Sequence, residues 1–125
     1  MNTKRILVVD DEPSVTRSLK LNLEDTLRYE VRTENDSARA VAAAREFHPD
    51  LILLDVIMPG LDGCDVSTRI HADPELRDMP IVFLTALATN EDTGGQAITA
   101  GATVYVAKPV MLGELLRCID QHVRP

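Results

Sequence analysis

Pro49-Asp50-Leu51-Ile52-Leu53-Leu54-Asp55 places four consecutive apolar residues between acidic ones. A strand with one wet face alternates apolar and polar side chains, whereas an unbroken run of this length suits a strand covered on both faces. The pattern recurs on either side. Ile6-Leu7-Val8-Val9 runs into Asp10-Asp11-Glu12, Ile81-Val82-Phe83-Leu84 into Thr85, and the shorter Val104-Tyr105-Val106-Ala107 into Lys108. Tyr29 to Thr33 supplies a weaker, more polar strand.

Helical patterns fill the intervals. Val15, Leu19, Leu23 and Leu27 recur every fourth residue from Ser14 onward, with Pro13 suited to a first turn. Asp36 or Ser37 caps a second, alanine-rich helix over Ala38 to Phe47, which must stop near His48 because a residue preceding proline disfavours the helical region. A third is expected over Asp62 to Ala72, with Val66 and Ile70 on one face. A fourth, over Asn90 to Ala100, is expected to be short, because Gly94 and Gly95 each cost a helix interior about 1 kcal/mol. The last carries Leu112, Leu115, Leu116, Ile119 and Val123 in an i, i+3, i+4, i+7 stripe. Strands alternating with helices at this spacing imply right-handed crossovers and a parallel sheet with helices on both faces, a doubly wound α/β sandwich.

With 125 residues there is room for one domain, 1–125. Apolar residues at 45% and charged residues at 26% exclude a disordered composition. The net charge of -7 argues against direct nucleic-acid binding by this segment, since that relies on lysine and arginine neutralising phosphates. No apolar run approaches the roughly 20 residues of a membrane span, and no signal sequence precedes the first strand, so a cytoplasmic location is expected. Cys64 and Cys118 lack ligand-like spacing and read as reduced packing residues.

In open sheets of this kind, sites form beyond the carboxyl ends of the strands. Asp10, Asp11 and Glu12 follow the first strand, Asp55 the third, Thr85 the fourth and Lys108 the fifth. Three carboxylates drawn together repel and call for a cation, and an oxygen-only donor set points to Mg²⁺. A carboxylate beside such an ion can act as a nucleophile toward phosphorus, with Lys108 and the Thr85 hydroxyl meeting charge on the phosphoryl oxygens. Alone, Asp10-Asp11-Glu12 reads equally as an acidic loop capping a helix, and Thr85 and Lys108 say little.

Together these fragments resemble the receiver domains of two-component response regulators. The resemblance is carried by Val8-Val9-Asp10-Asp11-Glu12, by Pro49 through Asp55, and by Met58-Pro59-Gly60-Leu61-Asp62-Gly63. Leu84-Thr85-Ala86, Ala100-Gly101-Ala102 and Lys108-Pro109 complete it. It implies a flavodoxin-like five-stranded parallel sheet in the order 2-1-3-4-5. It further implies Asp55 as phosphoacceptor, Asp10, Asp11, Asp55 and the Ile57 backbone carbonyl as Mg²⁺ ligands, and Thr85 and Lys108 as the phosphate-sensing pair. Thr85 and Tyr105 would form the switch, and a cis peptide before Pro109 would aim the lysine inward. Such a domain is a regulatory phosphoacceptor and not a turnover enzyme, although it promotes its own phosphotransfer and slow self-dephosphorylation. The implied partners are a sensor histidine kinase or phosphotransfer protein, and a downstream effector domain or target protein reached through the fourth helix, fifth strand and fifth helix. Phosphorylation-dependent homodimerisation is a habit of the family.

Val110, where phenylalanine is more usual, and Thr103-Val104, in place of an acidic pair, depart from the pattern at the output surface. Ile57 and Leu87 are both apolar where polar side chains would orient an attacking water, which implies a slowly hydrolysed acyl phosphate. Three other functions compete. A haloacid-dehalogenase-like phosphotransferase needs a second aspartate two residues after the nucleophile, where Ile57 stands. An FMN carrier needs a hydroxyl- and glycine-rich loop where Asp10-Asp11-Glu12 stands. A degenerate receiver acting as a phosphorylation-independent interaction module would not keep every site residue.

Overall fold

The computed structural model describes residues 3–56, 63–85, 98–100, 103–108 and 110–123, with the backbone alone at 98–100 and 103. In chain order the elements are β1 (Lys4–Val9), α1 (Pro13–Glu24), β2 (Tyr29–Glu34), a 3-10 turn (Ser37–Arg39), α2 (Ala40–Phe47), β3 (Leu51–Asp55), α3 (Gly63–Ala72), β4 (Ile81–Thr85), β5 (Ile98–Ala100), β6 (Thr103–Ala107) and α4 (Leu112–His122). They build one sheet in the order β2-β1-β3-β4-β6-β5. β2, β1, β3, β4 and β6 run parallel, giving the expected 2-1-3-4-5 order, while β5 adds antiparallel to β6 at the edge.

The unbroken apolar runs have the cause their pattern suggests. Successive side chains of a strand point to opposite faces, so Ile6, Val8, Leu51, Leu53, Val82 and Leu84 enter one core with Leu19 and Leu23 of α1 and Leu115, Cys118 and Ile119 of α4. Leu7, Val9, Ile52, Leu54 and Phe83 enter the other, with Ala40, Ala43 and Ala44 of α2 and Val66 and Ile70 of α3. Small alanines on α2 let that helix lie close to the sheet.

Several expectations are corrected at element ends. Pro13 does open α1, but the helix stops at Glu24, and Leu27 stands outside it at φ 63° and 82% exposed. Thr26 closes the end: its hydroxyl donates to the Leu23 carbonyl at 2.7 Å and accepts the Arg28 N–H at 3.2 Å. The second helix starts as a 3-10 turn, because the Asp36 carboxylate accepts the Ala38 N–H and holds that turn tight. His48 ends α2 in the left-handed region at φ 54°, as the following proline requires a break. Of the helix expected over Asn90 to Ala100, residues 90–97 lie outside the described residues and Ile98–Ala100 are strand, not helix. Ile98 and Thr99 are β-branched, a residue type that favours strand over helix. On α4 the buried stripe is Leu115, Cys118 and Ile119, with Leu112 at its exposed margin. Cys118 is therefore a packing residue, whereas Cys64 is exposed; both are free thiols. Burial pushes the Cys118 thiol up to about 11, the nearby Glu114 charge adding to the effect.

Candidate functional site

β1 and β3 are neighbours, yet the chain leaves β1 for β2 in one direction and returns to β3 in the other. The crevice at the carboxyl end of such a reversal is where a doubly wound sheet holds its ligand. Asp10 follows β1 and Asp55 closes β3, so both carboxylates enter that crevice, and Asp11 joins them from the loop. One oxygen from each of Asp10, Asp11 and Asp55 lies within 4.8 Å of the others. Asp10 is 0% and Asp55 4% exposed.

Lys108 arrives from the end of β6. Its Nζ donates to Asp10 Oδ2 at 2.8 Å and lies 3.2 Å from Asp55 Oδ1. Burial pulls the ammonium's pKa down, but the hydrogen bond and charge of Asp10, then those of Asp55, outweigh it and raise the pKa above the ordinary 10.5. Lys108 is thus a held cation. Its N–H donates to the Thr85 carbonyl at 2.8 Å, which ties β6 to the end of β4 and sets Thr85, itself buried, beside the crevice. Tyr105 is half-buried and stacks on Phe83 with ring centroids 5.4 Å apart. Ile57, Leu87 and Pro109 lie outside the described residues.

Two residues have roles that the sequence did not reveal. Gly63 reads from sequence as a turn residue needing positive φ; instead it opens α3 hard against β3. A Cβ there would stand 2.4 Å from the Asp55 carbonyl oxygen and 2.8 Å from Val56 Cα. Close approach to the Asp55 backbone, not left-handed geometry, explains the glycine. Asn35, just after β2, donates from Nδ2 to the Asp10 carbonyl at 2.8 Å and to Thr16 Oγ1 at 3.0 Å. It belongs to no motif, and only the tertiary fold brings it to the site.

In ionised form three carboxylates face one ammonium, an excess of two negative charges in a largely buried place. The donors are all oxygen, with no histidine or cysteine, so the set fits a small, hard divalent cation. Beside it a cavity of about 300 Å³ opens between α1 and α4, lined by Val15, Ser18, Leu19, Lys108, Val110 and Leu112 among others.

Residues 6–120 match the family model of the response regulator receiver domain. The chain belongs to that family. Members generally bind Mg²⁺ at an acidic pocket, and this chain holds a cluster of acidic side chains at Asp10, Asp11 and Asp55. Among relatives, the chain is 37% identical over 120 residues to the DNA-binding dual master transcriptional regulator RpaA of Synechocystis, covering 96% of this chain and 49% of that protein. It is 42% identical over 106 residues to the response regulator PleD of Caulobacter vibrioides, covering 85% and 23%. The chain therefore spans half or less of the length of these relatives. Among solved structures, the chemotaxis protein CheY4 of Vibrio cholerae superposes with a TM-score of 0.82 at 28% identity, covering 98% of this chain and all of that one. The N-terminal domain of a response regulator receiver protein from Methanoculleus marisnigri gives 0.71 at 31% identity, covering 96% of each. Among the described residues no helix is long and apolar enough to cross a membrane.

Proposed function

We propose that this receiver domain takes a phosphoryl group onto Asp55 from a phosphohistidine of a sensor kinase or phosphotransfer protein, with Mg²⁺ held by Asp10, Asp11, Asp55 and the Ile57 carbonyl. The observation that carries the reading is the convergence of three carboxylates within 4.8 Å, with Lys108 bonded to two of them. In the transfer an Asp55 carboxylate oxygen forms a bond to phosphorus while the phosphorus–nitrogen bond to imidazole breaks, and the departing nitrogen takes a proton. When bound, the ion neutralises charge on the phosphoryl oxygens and on the carboxylates around it. Lys108, already placed 3.2 Å from Asp55, meets a second phosphoryl oxygen, and the Thr85 hydroxyl a third.

Drawing Thr85 toward the phosphate then opens room beside it for Tyr105, the ring that stacks on Phe83. That movement reshapes the output surface, through which an effector domain, a target protein or a second copy is engaged. Residues 1–125 act as one receiver unit, at work in the cytoplasm, without contacting DNA themselves. The cavity between α1 and α4, opening beside Lys108, gives the phosphodonor an approach. The trans-acting donor supplies the phosphohistidine, so the domain is a regulatory acceptor.

Incubation with acetyl phosphate tests the reading. The mass should rise by one phosphoryl group in the presence of Mg²⁺, and should stay constant with chelator or in Asp55→Asn. Labelling that persists in Asp55→Asn would remove the proposal.

A further inference from the structure

We infer that Asn35 is a positioning residue that presets the acidic pair for its cation, an inference resting on the metal-dependent reading above. The loop from β1 to α1 is tied down at nearly every residue. The Asp10 carbonyl accepts from Asn35 Nδ2 at 2.8 Å, and Asp10 Oδ1 accepts the Glu12 N–H at 3.0 Å. The Glu12 carbonyl accepts the N–H groups of Val15 and Thr16, and the Thr16 hydroxyl donates to the Pro13 carbonyl at 3.2 Å. Thr16, 2% exposed, is also the second acceptor of the Asn35 amide, at 3.0 Å.

Asp11 is the exception. Among the described residues its carboxylate has no hydrogen-bond or ion-pair partner, so its place in the cluster is set by the backbone alone. The peptide that orients it is the one joining Asp10 to Asp11, and Asn35 holds that peptide's carbonyl. With one amide bridging β1's end to α1's buried Thr16, Asn35 fixes the plane from which the Asp11 side chain leaves. Groups that orient ligands in this way typically change metal affinity by about 10 to 100-fold when removed. Among the described residues the Asn35 amide bonds to the Asp10 carbonyl and to Thr16, not to Asp55 or Lys108, so its loss should act on affinity and leave the chemical step intact.

Calorimetric titration of the full chain with Mg²⁺ tests this, paired with initial rates of phosphorylation by acetyl phosphate across Mg²⁺ concentrations. Asn35→Ala should raise the Mg²⁺ dissociation constant and the half-saturating Mg²⁺ concentration together by about tenfold. Its maximal rate at saturating Mg²⁺ should stay within about twofold of wild type, the signature of a lost binding contribution. Thr16→Val, which removes one of the two acceptors, should shift affinity in the same direction by a smaller factor and serves if Asn35→Ala does not fold. Unchanged affinity in a folded variant, beside a wild type that binds Mg²⁺, overturns the role of Asn35 alone. A fall in maximal rate equal to the loss of affinity overturns it too, since that marks a general structural defect. A wild type that takes up no Mg²⁺ overturns the metal reading and this inference with it.

Discussion

At the scale of single residues, the site depends on what is missing from Gly63 as much as on the side chains that converge. A methyl group there meets the Asp55 carbonyl at 2.4 Å, and backbone cannot swing aside as a side-chain tip can. Gly63→Ala should therefore cost about 1–3 kcal/mol, the usual range for overpacking, and should slow phosphorylation because β3 shifts with Asp55. Urea unfolding and labelling rates check both effects. The acidic residues and Lys108 were legible in the sequence because each terminates an apolar run, and runs of that kind place their ends together. Gly63 was legible only as a turn glycine of positive φ, a misreading, since its reason lies in a contact across elements. Asn35 was invisible for the same cause: its partners are 25 and 19 positions away.

At the scale of elements, β2 shows how a sheet edge is closed. Alternate residues of β2 turn toward β1, with the Arg28 and Glu34 carbonyls accepting the Lys4 and Asp10 N–H groups. The backbone N–H and carbonyl of the buried Val31 point the other way, off the outer edge of the sheet. There the Glu24 carboxylate accepts the Val31 N–H at 3.0 Å, and Lys20 Nζ donates to the Val31 carbonyl at 2.7 Å while pairing with Glu24 at 3.1 Å. The two side chains, one turn apart on α1, complete the hydrogen bonding that another strand would otherwise supply. Glu24→Ala should cost about 1 kcal/mol, and the double variant Lys20→Ala with Glu24→Ala should self-associate more readily. Equilibrium unfolding and light scattering read these outcomes. Neither residue is marked by the apolar periodicity that located α1. That periodicity also carried Leu27 into the helix, where the Thr26 hydroxyl had already closed it. Long strands buried on both faces were readable because their pattern is unbroken; helix ends were not, because capping decides them.

At the scale of the whole molecule, stability should depend on pH through a few held charges. The backbone N–H of Val31 lowers the pKa of Glu24 against the opposing effect of burial, with Lys20 assisting; the N–H of Glu75, and then Arg45, do the same for Asp73. A lowered folded pKa means that the unfolded chain binds protons first as pH falls. The stabilisation from both groups is complete above their ordinary values of 4.5 and 3.8 and is lost as pH falls through the lower folded values. Lys108 acts at the other end: its contribution is complete below 10.5 and disappears as pH rises through its raised value. Urea midpoints measured from neutral pH down to about pH 3 should fall, and the fall should be shallower in a Glu24→Gln, Asp73→Asn variant. A parallel sheet was readable from the alternation of elements and its strand order only through the resemblance to receiver domains, whereas the antiparallel β5 was readable from neither, since Ile98–Ala100 is too short to show a period.

On phosphorylation one carboxylate, that of Asp55, should become an acyl phosphate, a mixed anhydride with phosphorus. Borohydride reduces an acyl phosphate to an alcohol, so reduction after treatment with acetyl phosphate and Mg²⁺, followed by peptide mass mapping, leaves a homoserine wherever the phosphoryl group had been. The expected result is a single homoserine at position 55; a homoserine at position 10 or 11, or none anywhere in a chain that binds Mg²⁺, would contradict it.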